Sequence, residues 1–595
     1  MANNNNKSVK NNGIYMFADF TKGLYLLDTP RSLGEQLASL ALVDGRNVWA
    51  ERGALVPQYG YLSLAKIPDG ERVIAYTEGS TSNDGFCILT VSGRVFFYSV
   101  AQGLKEYKTT VTGGFTKPIV ARRDNDLVIY DDGQTYLFGN RYEEGTKVAV
   151  NKNVTCLDFG SYYQFTIDEE SLKYYWVGKN ILANDTVVII SSVDQVEHDD
   201  GTKATYIRAY SENNNHESLP DTVTLYEQTL YSFTLNYTPE DTAVSATTLE
   251  PILMAVSQNR LFIVHITGDI YYSAIGVIDD FNEKNGAGYF GGFYNDVSAI
   301  LSIEDFLNGT LICRKNGLYI LTIGDIVEID KISQAGQEYA SDHVIVGEKV
   351  YAYDSNSGAL VVAVQQNVFG YLTAGKTLVA SEYLNVSNFN INSTKRALTY
   401  NHEQNMFSLY YGEQLDRAII YTANQSLFPR ELDKNLIGFI GLNQGVVGIT
   451  ELGEIIQDFK RGTIIPTLSC IAAFEPIGLR DNRLIQCTLM DVTELSGVDY
   501  QLSTQNATIS HQKIVPSYYT QNGGDTLLPF TYSDNIVKEN SFELQTRWAE
   551  QASNVTRVAA PMSGRNGVAI TFEFEPGRAF CLSSIRLPDF AQGVS

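Results

Sequence analysis

Cysteine, histidine, proline and cationic charge are all scarce in this 595-residue chain, and each shortage excludes something. The six cysteines, at 87, 156, 313, 470, 487 and 581, are scattered without C-x-x-C spacing. That pattern argues against a disulfide framework or a thiolate zinc site and predicts buried, reduced thiols in a protein made in the cytoplasm. The six histidines, at 198, 216, 265, 343, 402 and 511, include no H-E-x-x-H and no close pair. A metal or general-base role needs partners they do not bring with them. No apolar run reaches the length of a membrane span, and the opening MANNNNKSVKNN is polar, unlike a signal peptide. Residues 1–12 are expected to be disordered unless a partner holds them. Lys and Arg number 44 against 68 Asp and Glu, a net charge of −24, and no basic run exceeds Arg122-Arg123. Nucleic-acid affinity comes mainly from cations that neutralise phosphates, so a DNA-gripping protein is disfavoured. A wall past which DNA slides is a different case, because acidic side chains repel the backbone and leave no sticky sites.

What the chain has in quantity is aromatic residues and glycine: 37 Tyr, 28 Phe and 48 Gly against 15 Pro. This favours many short strands joined by tight turns. Strands are predicted at 72–76, 85–90 and 93–100, at 119–121, 127–130 and 135–138, and at 155–159, 162–167 and 174–178. Turns at Asn83-Asp84-Gly85, Ser92-Gly93 and Asp131-Asp132-Gly133 separate them. The rhythm breaks over 181–247, resumes from 251 and runs to 457. Three or four short strands per set is the one-dimensional image of a propeller blade, and six to eight such sets fit. The sets are not alike in sequence. After 463 the strands are longer and the loops more polar.

The expected organisation is therefore all-β: a β-propeller with an inserted small β-sandwich and a C-terminal β-sandwich-like module. The boundaries are 1–62 for an N-terminal arm and docking segment, 63–180 for the first blades and 181–247 for the insertion. Residues 248–462 supply the remaining blades and 463–595 the C-terminal module.

Catalytic constellations are weak. Asp354-Ser355-Asn356-Ser357-Gly358 begins like a calcium loop, but the twelfth position is Gln365 rather than a bidentate Glu, which leaves an Asx turn. Asp131-Asp132-Gly133-Gln134-Thr135-Tyr136 is similar to the Asp-box of sialidase-like propellers, yet lacks its leading Ser and its Trp and occurs once. Glu197-His198-Asp199-Asp200 reads as a solvated turn. No G-x-S-x-G, Walker loop or dinucleotide fingerprint is present. The reading is accordingly not an enzyme, with no cofactor and no metal.

The densest information lies in 28–61. Asp28-Thr29-Pro30 is a stop, because Pro30 fixes its φ and drives Thr29 extended. Leu33, Leu37, Leu40 and Ala41 suit one to two helical turns. An Asp44-Gly45 turn, an exposed Arg46, an aromatic Trp49 and an Arg52-Gly53 turn follow, and Pro57 argues against a central sheet position.

With Gly23, Leu24, Asp28 and Pro30 ahead of it and Asn47-Val48-Trp49 through Gly53-Ala54-Leu55 behind, this run resembles the amino-terminal segment of the nozzle, or tail tubular protein B, family of short-tailed bacteriophages. Gln58-Tyr59-Gly60 stands where that family usually has Arg-Pro-Gly. The segment 202–226 is similar to a strand-turn-strand of fibronectin type III or immunoglobulin-like sandwiches. Asn259-Arg260-Leu261-Phe262 and Gly317-Leu318-Tyr319-Ile320-Leu321 match further family motifs.

The resemblance implies a structural virion protein at the tip of a short tail. It implies a homo-oligomeric ring, of six copies by the family pattern, that retains and ejects double-stranded DNA. Its partners would be a tail adaptor ring and fibre, spike or needle proteins. On that reading Arg31, Arg46, Trp49 and Arg52 are docking residues, and the Gly-rich loop with Tyr289, Phe290 and Phe293 is a candidate channel loop. The competing expectation is a glycan-binding or glycan-active propeller.

Overall fold

The structure, a computed structural model, describes residues 11–18 and, with short interruptions, 42–474, and beyond that chiefly the strands between 484 and 593. Among the described residues the chain is nearly all β, and seven antiparallel sheets of blade size follow one another. Blade 1 is Val73–Tyr76, Gly85–Thr90, Val95–Ser99 and Gly103–Tyr107. Blade 2 opens with Ile119–Arg123, Asp126–Asp131 and Gln134–Phe138. Blade 3 is Pro251–Ser257, Arg260–His265, Ile270–Tyr272 and Gly288–Phe290. Blade 4 runs through Ile300–Phe306, Gly309–Arg314, Gly317–Ile323 and Val327–Ser333. His343–Val346, Lys349–Asp354 and Ala359–Gln366 begin blade 5, with Leu372–Thr373 and Lys376–Thr377 sharing its outer edge. Blade 6 is Arg396–Asn401, Met406–Tyr411, Arg417–Thr422 and Leu427–Glu431.

Blade 7 has only three local strands, Leu436–Leu442, Gly445–Thr450 and Glu454–Gln457. Its outer strand is Leu62–Lys66 from the beginning of the chain, paired through Gln457↔Leu62 and Glu454↔Lys66. The ring is thus fastened by a strand distant in sequence.

The blades pack through seven apolar clusters, one at each junction. Val73, Phe86 and Ile88 meet Ile440, Val447 and Ile455 between blades 1 and 7, and Phe262 and Ile270 meet Ile303 and Ile312 between blades 3 and 4. First strands touch at most junctions, as Ile119–Arg123 does Pro251–Ser257 and Arg396–Asn401 does Leu436–Leu442, which makes them the innermost ones. Each turn from second to third strand carries a glycine at positive φ: Gly93, Gly133, Gly268, Gly317, Gly358, Gly412 and Gly453. This is the repeat that composition obscured. Glycine takes positive φ at no steric cost, and the apolar strands on either side vary freely.

The insertion is larger than residues 181–247. Thr146–Asp158 and Tyr163–Ile167 pair with Thr222–Leu230 and Lys203–Ser211, while Asn180–Ala183 and Thr186–Glu197 complete the set. Leu182↔Tyr226 and Ala183↔Leu225 join the two ends, so the six strands form one sheet closed on itself around one core. No strand forms at 174–178. Asp168 caps a short 3-10 turn, Glu169–Tyr174, and the next residues, Tyr175 and Trp176, point into two different cores. The far end of Thr222–Leu230 also serves blade 2 as its fourth strand, through Leu137↔Leu230 and Phe138↔Thr229. Module and wheel therefore share a strand.

The C-terminal module draws on both chain ends. One sheet orders Val48–Glu51, Ala54–Pro57, Leu582–Gly593, Leu484–Leu495 and Ser553–Gly564, with Asn11–Ala18 on Leu582–Gly593. The second orders Leu42–Arg46, Cys470–Phe474, Val568–Phe574, Lys513–Tyr518 and Leu528–Pro529. Residues 42–57 are therefore part of a sandwich and not a free arm. Asp44 and Gly45 lie within a strand rather than a turn, and Asn11 and Asn12 begin one.

Candidate functional site

Asn47 is the corner at which the chain passes from one terminal sheet to the other. It adopts a left-handed conformation, φ 57°, which asparagine tolerates better than most side chains. Its backbone N–H donates to Pro429 O at 3.1 Å, and Gln58 N–H donates to its carbonyl at 2.8 Å. The side-chain amide donates to Ser469 O at 2.9 Å and accepts from Glu431 N–H at 2.8 Å. Gln58 Nε2 adds bonds to Val48 O and Pro429 O. Together they cover the exposed edge of blade 6, whose outer strand would otherwise leave its backbone unpaired. Pro429 sits where an edge strand needs no donor.

Beneath this corner lies a buried charge network. Arg430 Nη2 is 2.6 Å from Asp458 Oδ1, and Tyr410 Oη donates to the same carboxylate. Burial pushes the Tyr410 phenol well above its usual range, with Asp458 reinforcing it. The guanidinium stacks over Phe459 at 3.8 Å. Trp49 packs edge-on against Tyr59 at 4.9 Å and beside Phe459 at 6.2 Å. A cavity of about 10 Å³, bounded by Gln58, Tyr59, Arg430 and Cys470 among others, is too small for any ligand beyond a water.

The residues expected to dock partners are thus divided. Trp49 is buried in the core shared by blades 6 and 7 and the terminal module, so it is a structural plug and not a free anchor. Arg46 is exposed and 3.7 Å from Glu431. Arg31 and Arg52 lie outside the described residues, as does the helix expected from Leu33. Tyr289 and Phe290 belong to the outer strand of blade 3, at the rim of the wheel and away from its axis. Tyr289 stacks on Tyr271 at 5.8 Å there. Phe293 lies outside the described residues.

Two motifs singled out for chemistry turn out to be one device. Asp131 accepts from Thr116 N–H at 3.0 Å and Lys117 N–H at 2.7 Å. Asp354 accepts from Gly336 N–H at 2.8 Å and Asn356 N–H at 3.1 Å. Each aspartate ends the second strand of its blade and fastens the loop leading into that blade.

A more catalytic-looking group went unnoticed in the sequence because its histidine lies 30 or more residues from its two partners. His343 Nε2 is 2.7 Å from Glu304 Oε1 and 3.5 Å from Cys313 Sγ, in the junction between blades 4 and 5. Both partners face the same ring nitrogen, so the imidazole cannot relay a proton from thiol to carboxylate as a nucleophilic triad requires. Burial alone would lower the imidazole pKa; Cys313 and the Glu304 carboxylate overcome it and hold the value well above the usual one. The group is a charged pin between blades.

The joint between insertion and wheel holds a second buried pair. Lys179 Nζ meets Glu227 Oε2, donates to Tyr174 O at 2.8 Å, and lies 4.2 Å from the Trp176 ring and 5.0 Å from that of Tyr107. Burial pushes Lys179 down and Glu227 up. Trp176 also stacks on Phe97 of blade 1 at 5.0 Å.

The turns between second and third strands share one end of the wheel, and that end is acidic. Between these strands lie Asp132, Asp269, Glu413, Asp416 and Glu451 against Arg94 and Lys315; the strand ends beside them add Asp131, Asp354 and Glu454 against Arg314 and Arg417. Among the described residues no group of three or more His, Cys, Asp or Glu side chains is arranged to hold a metal ion, and no helix is long and apolar enough to cross a membrane.

No protein-family profile and no curated protein matches the chain. Solved structures that it is similar to include "YCF48 bound to D1 peptide", at 8% identity over 67% of this chain and 95% of that one, TM-score 0.30. "Crystal structure of RRP9 WD40 repeats" aligns at 7% identity over 67% and 98%, TM-score 0.34. "Crystal structure of BBS1N in complex with ARL6DN, soaked with lead" aligns at 11% over 67% and 97%, TM-score 0.29. Such scores carry no argument about function. The propeller rests on the chain's own seven sheets.

Proposed function

We propose that this protein is a non-catalytic structural component of a virion: a nozzle subunit whose copies form a ring at the tip of a short phage tail, through which DNA is retained and then ejected. The observation that carries the reading is the run from Asn47 to Leu55. Asn47, the first residue of that run, turns the terminal sandwich and binds it to the edge of blade 6, and Trp49 of the same run plugs the core beneath. Their identity follows from that task, since a left-handed corner favours Asn and the plug beneath it is an indole. The acidic end of the wheel also suits a conduit. Each Lys or Arg there would exchange counterions for phosphate and create a local binding minimum for passing DNA. Acidic side chains act only within a screening length of about 8 Å at physiological salt, so they keep DNA off the wall without barring its entry.

Negative-stain imaging and mass photometry of the purified protein, alone and with a tail adaptor ring, test the reading. Rings with a central hole are expected. Single-copy particles at every concentration, with and without the adaptor, overturn it.

A further inference from the structure

The outward face of the inserted module differs from the acidic surface around it. Val154, Cys156, Tyr163, Phe165, Ile207 and Ala209 point into the module core, so strand alternation sends their neighbours outward. Register aligns these neighbours in rows. Leu157 lies opposite Gln164, Gln164 opposite Arg208, and Arg208 opposite Ser192. Thr155, Thr166, Tyr206 and Asp194 form the next row.

Beyond them the hairpin tip closes with Phe159 N–H donating to Tyr162 O at 3.0 Å, and the Phe159 and Tyr162 rings stack at 4.7 Å with 13° between planes. Leu157, Phe159 and Tyr210 are 48%, 51% and 41% exposed. The Arg208 guanidinium is exposed and 6.0 Å from the Tyr162 ring, with no ion pair among the described residues.

Small-molecule sites are concave, whereas this face is the outward side of a sheet. Tyr, Phe and Arg ringed by Thr, Ser and Gln, with one acid, Asp194, that Ser192 already engages at 2.8 Å, is instead the composition of a protein–protein hot spot. An unpaired Arg at its centre calls for a carboxylate. The chain itself, with 68 acidic against 44 basic residues, offers carboxylates over most of its surface. A closed ring also needs two different, complementary patches on each subunit. The shared strand Thr222–Leu230 and the Lys179–Glu227 pair hold the module rigidly on the rim, where it can reach a neighbour.

We infer that the face built on Leu157, Phe159, Tyr162, Tyr206, Arg208 and Tyr210 is the contact through which one copy of this chain grips an acidic surface of the next. The inference rests on the ring reading above.

The full-length protein, Arg208→Glu and the Tyr162→Ala/Tyr210→Ala double variant are compared by mass photometry across concentration. All three changes face outward, so thermal melting should be unaltered. Assembly should weaken by about tenfold or more in each variant, and raised salt should weaken the wild type but not Arg208→Glu. If the wild type assembles and both variants do so equally well, the face is not the contact and the ring reading survives. If the wild type never assembles, the ring reading falls and this inference with it. Unaltered assembly with lost binding to immobilised glycans would make the face a glycan surface and also overturn it. Hydroxyl-radical footprinting of the wild type needs no variant: Tyr162, Tyr206 and Tyr210 must lose reactivity on assembly, and unchanged reactivity overturns the inference.

Discussion

Blades 2 and 7 each have three local strands and take the fourth from elsewhere, and the two loans differ in what they hold. In blade 7 the whole of Leu62–Lys66 pairs with Glu454–Gln457, and the loan closes the wheel. In blade 2 only Thr229 and Leu230 pair with Phe138 and Leu137, and the rest of that strand belongs to the inserted module. One loan is a fastener and the other an attachment. A wheel depends on its fastener because every junction is one of a closed series, whereas an attachment leaves the series intact.

The largest expected effect breaks this comparison directly. Removing residues 1–66 deletes the outer strand of blade 7 together with the corner at Asn47, and should abolish cooperative unfolding, as read by calorimetry. Replacing 146–226 by a short Gly/Ser linker keeps Thr229 and Leu230 in place. It should yield a soluble wheel that still melts cooperatively, several degrees lower because Trp176 leaves the core between blades 1 and 2. Equal failure of both would show that the module is as integral as the fastener.

A smaller effect sharpens the attachment. Lys179→Met strands the Glu227 carboxylate in the interior and should cost roughly 3–5 kcal/mol in denaturant unfolding. Adding Glu227→Leu should recover most of it, since a buried pair is often replaceable by apolar groups of similar volume.

The smallest lies on the wheel itself. Burial opposes ionisation of Asp296, but Ser298 and Tyr319 donate to it and Arg314 adds positive charge, so its pKa is held down at about 2. A depressed folded value stabilises above the unfolded one of about 3.9 and is lost as pH falls towards about 2. Wild-type stability should therefore drop by an amount on the order of 2 kcal/mol more than that of Asp296→Asn between those limits.

Much of the wheel was legible in the sequence because the middle strands of the blades are apolar and turns are marked. Phe86–Leu89 and Leu261–Val264 announce themselves. The outer strands do not: Val327–Ser333 alternates exposed acids with half-buried residues, and Gly288–Phe290 looks like a loop. Edge strands are charged or short for protection against stray pairing, which removes the signal a reader depends on. The insertion was visible as a break in rhythm, but its start was not, since 155–167 has the same alternation whether it belongs to a blade or a closed module. Trp49 was legible as an anchor and misread as to what it anchors. Periodicity cannot tell an aromatic facing a partner from one facing its own core. Asn47 was legible as part of a motif but not as a corner, and the Lys179–Glu227 pair was invisible, since each works through residues tens to hundreds of positions away.

The strand that completes blade 7 is also among the first parts of the protein to be made. Leu62–Lys66 leaves the ribosome long before its partner Glu454–Gln457 exists, because six blades and the insertion are translated in between. At about 5–20 residues per second that interval lasts tens of seconds. Throughout it the early strands have no native partner, and the terminal sandwich waits longer still for Leu582–Gly593. Crowded synthesis of many copies on one message would put these unpaired segments side by side. The chain's vulnerability to aggregation should then peak during translation, and slowing initiation so that nascent chains are spaced apart should raise the soluble yield.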